Sequence, residues 1–286
     1  MNTKNIPYIG GHVSSAGGLW NAIQNGENIG AEAIQIYGAS PRQWMASMPK
    51  ESEIRKFKEA RAKSSIKKVY LHAAYLVNLA SSSDELYEKS VKNLSEHFSI
   101  TEALGADGLI FHVGSSKDSS FDIVADKEVR GIKNVLKNVP GKAMLIMENS
   151  SGGGNKVGAG IEEMKYLYDK TGSTRLKICF DTAHAFEAGI IKEYTSSSVK
   201  KLFDEWDKAV DIKNIEVLHI NDSKTAYGSH SDRHENIGKG QIGITGFKAL
   251  VGDKRLFDKV WLLEVPGFDD TGPDKKNVDI LRSLFI

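Results

Sequence analysis

The sequence has little cysteine, little proline and almost no net charge. Cys179 is the only cysteine among 286 residues, so an intramolecular disulfide is impossible and a reducing compartment is expected. The six prolines and the absence of any low-complexity tract offer no linker at which to divide the chain. A net charge of +1 excludes a globally basic protein, so charge for nucleic-acid binding would have to be concentrated locally.

Targeting and membrane signals are also missing. The N-terminal segment MNTKNIPYIGG lacks a basic region followed by an apolar stretch, so no signal peptide is predicted. No apolar run approaches the ~20 residues that a helix needs to span a bilayer. We therefore expect a soluble cytoplasmic enzyme that has no membrane partner.

What the chain does contain is an eightfold alternation of apolar runs and amphipathic stretches. The runs mostly lack strict polar alternation, which is typical of strands buried on both faces. They begin near Tyr8, Ala33, Lys68, Gly108, Ala143, Leu176, Ile215 and Val260. This order predicts right-handed βαβ units and favours an α/β fold with one TIM (β/α)8 barrel domain over residues 1–286. Because no Gly-x-Gly-x-x-Gly follows the first run, a dinucleotide-binding fold has little support.

The stretches between the runs have the period of helices. One apolar stripe consists of Leu86, Val91, Leu94 and Phe98. For this helix we expect Ser82 and Glu85 to form a capping box and Gly105 to follow its last turn. His97 falls within the same helix, and we expect it to lie on the surface. The longest Gly- and Ser-rich stretches all follow runs, as expected of loops at the active-site face of a barrel; they are GASPRQW, SSKDSS, SSGGGNKVGAG and NDSKTAYGSHSDRHENIGKG.

Side chains able to bind metal recur where the apolar runs end, or a few residues beyond. They are His72, His112, Glu148, Asp181, His184, His219, Asp232, His234 and Glu264. A single one of them would more simply be a buried, hydrogen-bonded polar residue. Nine unpaired buried polar groups, however, would each cost roughly 1–3 kcal/mol, and metal ions satisfy several such groups at once. The sequence therefore predicts a multinuclear metal enzyme.

The donor set determines which metals suit the site. Imidazole and carboxylate without thiolate favour zinc, manganese or ferrous iron. Carboxylates can bridge two ions, and two bridged ions ~3.5–4 Å apart can clamp a phosphate and lower the pKa of a water. Two further histidines have weaker claims. His12 ends the first run and is expected to line the pocket, while His230 is expected to contact solvent or phosphate.

Six segments resemble the signature blocks of the endonuclease IV family, the zinc-dependent apurinic/apyrimidinic endonucleases (AP endonuclease family 2). They are YLHAAYLVNLASSS, FHVGSS, MENSSGGGN, CFDTAHAFEAG, HINDSKTAYGSHSDRHENIGKGQIG and LLEVPG. The resemblance runs from about Ile9 to Leu284, and all nine ligand positions carry the residue type that the family uses. It implies a TIM barrel of the xylose-isomerase-like superfamily.

The resemblance also implies an activity and a set of roles. The activity is that of a DNA-repair hydrolase, which cleaves the phosphodiester 5′ to an abasic site, leaves a 3′-hydroxyl and a 5′-deoxyribose phosphate, and trims blocked 3′ ends. It implies three zinc ions per chain, with manganese or iron as alternatives at one or more sites. By position, the first ion falls to His72, His112 and Glu148, the second to Glu148, Asp181, His219 and Glu264, and the third to His184, Asp232 and His234. Glu148 and Glu264 are the residues expected to be catalytic.

For the DNA partner, the resemblance implies a wedge that enters the minor groove at the lesion and kinks the duplex. Its residues are Arg42, Tyr75 and Leu76, although Tyr75 and Leu76 could alternatively pack under a loop. Local positive charge for phosphate contacts comes from Lys117, Lys156, Lys224, Arg233 and Lys239. The expected substrate is double-stranded DNA with abasic sites or blocked 3′ ends, and the enzyme is expected to be a monomer.

Three positions depart from the family pattern. Val113 stands where proline is common, Gly153 where glutamine is often found, and His230 where arginine is usual. None of them is a predicted ligand, so the departures bear on affinity and lesion discrimination rather than on chemistry.

Two other functions remain open on the sequence. A metal-dependent sugar isomerase or epimerase of the same barrel superfamily would bind one or two ions rather than three. A non-catalytic DNA-damage binding module would keep the basic loops but would not need three ions. A metal count separates the first alternative, and nuclease activity on an abasic duplex excludes the second.

Overall fold

Eight parallel strands close into a barrel in the computed structural model, which describes residues 6–117 and 119–286. The barrel strands are β1 (Ile9–His12), β2 (Ala33–Tyr37), β3 (Lys68–His72), β4 (Gly108–His112), β5 (Met144–Glu148), β6 (Leu176–Asp181), β7 (Ile215–His219) and β10 (Val260–Leu263). Each predicted run begins within one residue of a strand, and the predicted TIM barrel is confirmed. Residues 1–5, where the predicted domain and the N-terminal segment begin, and Asp118 of SSKDSS lie outside the described residues.

The strands pair in the order β1-β10-β7-β6-β5-β4-β3-β2 and every pairing between them is parallel. A separate antiparallel pair lies in the long loop after β7 and consists of β8 (Asp222–Ser223) and β9 (His234–Glu235). Because parallel strands all point the same way, their C-terminal ends meet at one end of the barrel.

Helices cover the outside of the barrel. They are α1 (Asn21–Asn28), α2 (Glu51–Lys63), α3 (Asp84–Leu104), α4 (Phe121–Asn138), α5 (Ile161–Thr171), α6 (Thr182–Glu187), α7 (Ser196–Val210), α8 (Gly243–Val251) and α9 (Lys275–Ser283). Among the helices of the described residues, none has both the length and the apolar character required to cross a membrane.

Alternation along the strands separates two apolar layers. Ile34, Val69 and Leu109 belong to the large core between strands and helices. Their neighbours belong to a second, smaller cluster, which fills the barrel and consists of Ala33, Tyr70, Ile110, Ile146, Cys179, Val217, Val260 and Leu262. Since side chains two positions apart share a face of a strand, the residue two places beyond each of these also points into the barrel.

Two details of α3 differ from expectation. The N-cap is Ser83, whose side chain accepts a hydrogen bond from the Leu86 amide, so the predicted capping box of Ser82 and Glu85 was wrong. His97 is fully buried, so the predicted surface position was also wrong. The reason is that α3 runs between neighbouring helices and the barrel, and its buried face extends beyond the apolar stripe. Gly105 ends the helix with φ 67°, as predicted.

Candidate metal centre at the C-terminal end of the barrel

The inward face of each barrel strand ends in a polar residue. Two places beyond the apolar residues that fill the barrel stand Gln35, His72, His112, Glu148, Asp181, His219 and Glu264, and His12 ends β1. Strand alternation and the common strand direction therefore bring eight polar side chains together over the apolar barrel core. Seven of the eight can carry a charge or bind a metal ion.

The first group of candidate ligands consists of His72, His112 and Glu148. The Glu148 carboxylate is fully buried, and its Oε2 lies 3.2 Å from His72 Nε2 and 3.5 Å from His112 Nδ1. The Ala73 carbonyl lies 3.0 Å from His72 Nδ1, so it can accept a hydrogen bond that turns Nε2 toward Glu148.

The second group shares Glu148 with the first and adds Asp181, His219 and Glu264. His219 Nδ1 lies 2.9 Å from Glu148 Oε1, 3.2 Å from Glu264 Oε2 and 3.9 Å from Asp181 Oδ2. Nδ1 of His219 thus faces three carboxylates, and the ligand atoms of this group all lie within 4.8 Å of one another. Glu148 stands between the two groups, with one oxygen toward each.

The third group depends on α6 and on the loop after β7. Asp181 is the N-cap of α6, and it accepts a hydrogen bond from the His184 amide at 2.8 Å, which explains the Asp-x-x-His spacing. His184 Nε2 lies 3.2 Å from Asp232 Oδ1, and His234 Nε2 lies 3.6 Å from the same oxygen. The structure therefore brings Asp232 and His234 back from their loop to the strand ends, with Asp181 also within reach of His234 at 3.7 Å.

Three buried amides orient these groups, and the sequence analysis assigned no role to them. Asn221 Nδ2 donates to Asp181 Oδ2 at 2.6 Å, while Asn221 Oδ1 accepts from the Glu264 amide at 2.7 Å. Asn149 Oδ1 accepts from the Asp181 amide at 2.6 Å. Gln35 contacts both His219 and Glu264. Its sequence signal was a glutamine inside the apolar run AIQIY, at an inward-facing position.

Two buried carboxylates hold the loop that carries Asp232 and His234. Asp222 accepts backbone hydrogen bonds from the loop glycines and Ile242 at 2.9–3.3 Å, from the amides of Gly238, Gly240, Ile242 and Gly243. Glu187 of α6 accepts from the hydroxyls of Ser223 and Thr225, at 2.8 and 3.1 Å. These contacts define the path of an otherwise irregular segment.

The side chains at the centre strongly shift one another's pKa values. Burial by itself would raise the pKa of Glu148, but the adjacent His219 and His112 outweigh it and hold the pKa well below its usual range. Burial lowers the pKa of His112 to about 4. Burial also opposes a charge on His184, but Asp181 and Asp232 raise its pKa well above the ordinary value. The carboxylates are thus stabilised by nearby positive charge, which either protons on imidazole or metal cations can provide.

The residues present fit metal ions. The donors are nitrogen and oxygen, and they form overlapping groups whose ligand atoms lie within 4.8 Å of one another. Nε2 of His184 and Nε2 of His234 are buried and face Asp232 Oδ1 at 3.2 and 3.6 Å, but neither makes a well-aligned hydrogen bond among the described residues. Cys179 also lies against Glu148 and His219, and burial raises the pKa of its thiol to about 12.

A cavity of about 910 Å³ opens beside the three groups. Its wall includes His12, as expected, and Tyr37, Tyr75, Pro41 and Pro266. Tyr37 donates a hydrogen bond to the hydroxyl of Tyr75, whose side chain is 62% exposed. The Tyr75 amide donates to the Pro41 carbonyl at 3.2 Å, which joins the loops after β2 and β3. Exposure of Tyr75 disfavours packing under a loop, whereas Leu76 is half-buried.

The predicted cationic contacts have different surroundings. Arg42, Lys117, Lys224, Arg233 and Lys239 are exposed on loops that follow barrel strands. Lys156 is half-buried instead, and its Nζ lies 3.2 Å from Asp232 Oδ2. Lys156 therefore neutralises part of the third group, in addition to any contact with a phosphate.

Gly153 and His230, two of the positions that depart from the family pattern, lie next to each other. A Cβ added at Gly153 would meet the His230 carbonyl oxygen at 2.2 Å, and one at Gly152 would meet His230 Nδ1 at 2.9 Å. His230 itself has φ 54°. The loop after β7 thus occupies the space that a side chain at position 153 would need. Val113 is buried behind the centre, within the large core.

Comparison with known proteins agrees with this geometry. The sequence profile of the xylose isomerase-like TIM barrel family matches residues 23–284. A protein named "Probable endonuclease 4" from Halothermothrix orenii is 34% identical over 275 residues, which cover 96% of this chain and 99% of that protein. The chain belongs to the endonuclease IV family.

Solved structures separate this family from its wider superfamily. Endonuclease IV from Thermus thermophilus superposes with a TM-score of 0.85 at 33% identity, covering 97% of this chain and 98% of the other. A D-tagatose 3-epimerase-like protein superposes with a TM-score of 0.71 at 16% identity, covering 97% and 96%. The second likeness shows the shared barrel alone.

Proposed function

We propose that the protein is a DNA-repair hydrolase that cleaves the phosphodiester 5′ to abasic sites and also trims blocked 3′ ends. The observation that carries the proposal is the set of ligand groups at the strand ends: the first two share Glu148, and in the third His184 of α6 faces Asp232 and lies beside His234, both from the loop after β7. Membership of the endonuclease IV family supports the same activity.

We propose three zinc ions per chain, with manganese or ferrous iron as alternatives at one or more sites. His72, His112 and Glu148 would hold the first ion, Glu148, Asp181, His219 and Glu264 the second, and His184, Asp232 and His234 the third. Bound divalent ions supply Lewis-acid activation of water and neutralise phosphate charge.

The chain's own side chains perform the remaining tasks. Glu148 places one carboxylate oxygen toward each of the first two groups, so it links them in one rigid unit. Glu264 faces the cavity from the end of β10 and is fixed by Gln35 and the Asn221 amide contact. The cavity beside them has room for a sugar and its flanking phosphate, while Tyr37, Tyr75 and His12 form one wall.

DNA binding is proposed for the exposed loops around this cavity. Arg42 and Tyr75 lie on two loops joined by the Pro41–Tyr75 hydrogen bond, with Leu76 next to them. We propose that they stabilise a kinked duplex at the lesion, and that Lys117, Lys156, Lys224, Arg233 and Lys239 contact backbone phosphates. A cytoplasmic, monomeric protein with one domain over residues 1–286 is part of the same proposal.

The decisive experiment uses metal-replete protein and a duplex with one abasic analogue. Incision on the 5′ side of the lesion, with a 3′-hydroxyl product and no cleavage of the undamaged duplex, is the expected result. Counting zinc per chain distinguishes the family's chemistry from that of a sugar epimerase: we expect three ions. One or two ions without incision would overturn the proposal, and lesion binding without incision would favour a damage-binding module.

A further inference from the structure

Gln35 is the one side chain in the ring of eight inward-facing polar residues that neither ionises nor ordinarily binds transition metals. It lies at the middle of β2 and is fully buried. Its Nε2 lies 2.5 Å from Glu264 Oε1 and 2.9 Å from His12 Nδ1, and its Oε1 lies 2.8 Å from His219 Nε2. Both amide hydrogens and the carbonyl oxygen are therefore used.

The chemistry of these partners determines which way the amide points. An ionised Glu264 only accepts hydrogen bonds, so the amide NH2 must face it and the carbonyl must face His219. With the opposite orientation, the carbonyl oxygen of Gln35 would face the carboxylate oxygen of Glu264 at 2.5 Å.

The orientation of the amide in turn assigns the protons on two histidines. Because the Gln35 carbonyl only accepts, Nε2 of His219 must carry its hydrogen. Nδ1 of His219 is then the nitrogen left to act as a ligand, and it is the one that faces Glu148 and Glu264. His12 Nδ1 accepts from the second N–H of Gln35, which leaves the Nε2–H of His12 as a donor.

We propose that Gln35 is a positioning residue for the second ligand group: it fixes the ring and tautomer of His219 and one oxygen of Glu264 at the same time. This inference rests on the proposed metal centre and deepens it. Gln35 does not touch the reacting atoms. It acts through a ligand histidine and a ligand carboxylate, and such outer contacts typically change metal affinity by about 10–100-fold when removed.

Gln35 also connects the ligand group to the cavity wall. The His12 ring packs against Tyr37 with ring centres 4.4 Å apart, and Tyr37 donates a hydrogen bond to the exposed Tyr75. A continuous set of contacts therefore runs from the second ligand group, through Gln35 and His12, to the loop proposed to recognise the lesion.

The test is zinc binding by the whole protein without DNA, measured by competition with a chelator of known affinity. Gln35→Met keeps the side chain's size and removes all three polar contacts. We expect one of the three ions to be bound about 10–100-fold more weakly, with the other two within about threefold of wild type. Saturating zinc should then restore much of kcat for incision of an abasic duplex.

Asn214→Met is the matched control. Asn214 is also a buried amide, immediately before β7, the strand that ends in His219, and its side chain donates to the Val210 carbonyl and accepts from Lys177. It lies at the opposite end of the barrel, so its substitution should lower the melting temperature without changing zinc affinity. If Gln35→Met does not fold, Gln35→Asn, which keeps the amide but shortens its reach, is measured in the same way.

The outcomes separate this inference from the proposed function. Selective weakening of one ion supports the positioning role. Wild-type affinity at all three sites in a folded Gln35 variant overturns it while leaving the metal centre intact. A uniform loss at all three sites also overturns it, because it would indicate general loosening of the barrel. If the wild-type protein binds no zinc, the proposed function fails first and this inference fails with it.

Discussion

Buried histidines and glutamates occur in two regions of this barrel, with opposite surroundings. At the strand ends, Glu148 and His219 are fully buried but lie 2.9 Å apart within a dense set of donors and acceptors. In the helical layer, Glu128 of α4 and His97 of α3 are equally buried, yet neither ring nitrogen nor either carboxylate oxygen has a hydrogen-bond partner among the described residues. Burial is the same in both regions and only the clustering differs.

The difference appears in the pKa values. Histidine neighbours outweigh burial at Glu148 and hold the pKa of this carboxyl well below its usual range. At Glu128, burial and then the charge of Glu163 raise the pKa well above the usual range. Histidine neighbours thus favour the ionised carboxylate, which suits a cation, whereas burial without such neighbours favours the neutral carboxyl. Mutual proximity, and not burial, is what marks a site here.

The most drastic way to test this contrast is to remove every ion from the cluster. We expect activity that does not require added magnesium and that disappears completely on prolonged chelation, while brief chelation leaves most of it. If nine protein ligands share three ions, as proposed, few positions remain for rapid exchange, unlike magnesium sites, which retain several waters. Activity and zinc content, followed together over time in chelator, provide the measurement.

The stripped protein should remain folded, because the barrel core is formed by apolar residues and not by the proposed ligands. Circular dichroism before and after stripping checks this. Complete inactivation by a brief exposure to chelator, with rescue by magnesium alone, would contradict the proposed zinc centre.

The next largest effect, on kcat, is expected when glutamate is replaced by glutamine in the cluster but not when the same change is made in the helical layer. Glu148→Gln should lower kcat on an abasic duplex by about 10³-fold or more, because it removes the carboxylate charge shared by two ligand groups. Glu128→Gln, an identical change at an equally buried glutamate, should leave kcat within about twofold of wild type. Steady-state kinetics with saturating zinc measures both.

We do not expect a loss of folding to affect the comparison of kcat between the two variants. Because the pKa of Glu128 is higher in the folded than in the unfolded protein, the wild type loses stability as the pH rises, and the melting temperature of Glu128→Gln relative to wild type should rise with pH. A Glu148→Gln variant that retains a large fraction of wild-type turnover would remove Glu148 from the mechanism.

A smaller effect, on the affinity for DNA, is expected from substitutions in the exposed loops beside the cluster. Arg42→Ala and Tyr75→Ala should weaken binding to an abasic duplex by about 10–100-fold, with smaller losses on undamaged duplex and on a nicked, 3′-blocked end. The reason is that a kinked intact duplex needs the wedge, whereas a broken strand bends at little cost. Binding titrations on the three DNAs at two salt concentrations decide the question.

Lys239→Ala is the matched control in that experiment. Because Lys239 is exposed and is proposed to contact a phosphate, its substitution should weaken binding to all three DNAs similarly and reduce the salt dependence. Equal losses on all three DNAs for the Arg42 and Tyr75 variants would mean that these residues are ordinary backbone contacts.

The strand positions and the candidate ligands were predictable because both follow from a short local pattern in the sequence. The apolar runs, and a polar residue at the end of each, are readable from the sequence with no knowledge of distant contacts. The grouping of His184 with Asp232 and His234 was not readable from spacing, since it depends on how the loop after β7 is held by Asp222 and Glu187. The resemblance to a family supplied that grouping in advance.

The sequence failed where a polar residue is buried for reasons that local periodicity does not contain. His97 was placed on the surface because histidine is polar, yet helices on both sides of α3 widen its buried face. Gln35 was passed over because one glutamine in a strand has no chemical signature by itself. Its position becomes informative only when the inward face of all eight strands is aligned in register.

The smallest expected effect concerns stability and uses His97. Burial lowers the pKa of His97 to about 4, from 6.5 in the unfolded chain. Between these values the unfolded state binds the extra proton, so stability falls as the pH drops from 6.5 toward 4, by at most about 1.4 kcal/mol per pH unit. Above pH 6.5 the residue is neutral in both states and contributes no pH dependence.

His97→Leu should therefore be relatively more stable at pH 5 than at pH 7.5, by about 1–2 kcal/mol in the difference between the two pH values. Any change in packing acts equally at both pH values and cancels in that difference. Urea unfolding of the variant and of the wild-type protein at the two pH values measures it. Parallel pH profiles for the two proteins would show that His97 becomes charged without cost, and the contrast between isolated and clustered groups would then rest on Glu128 alone.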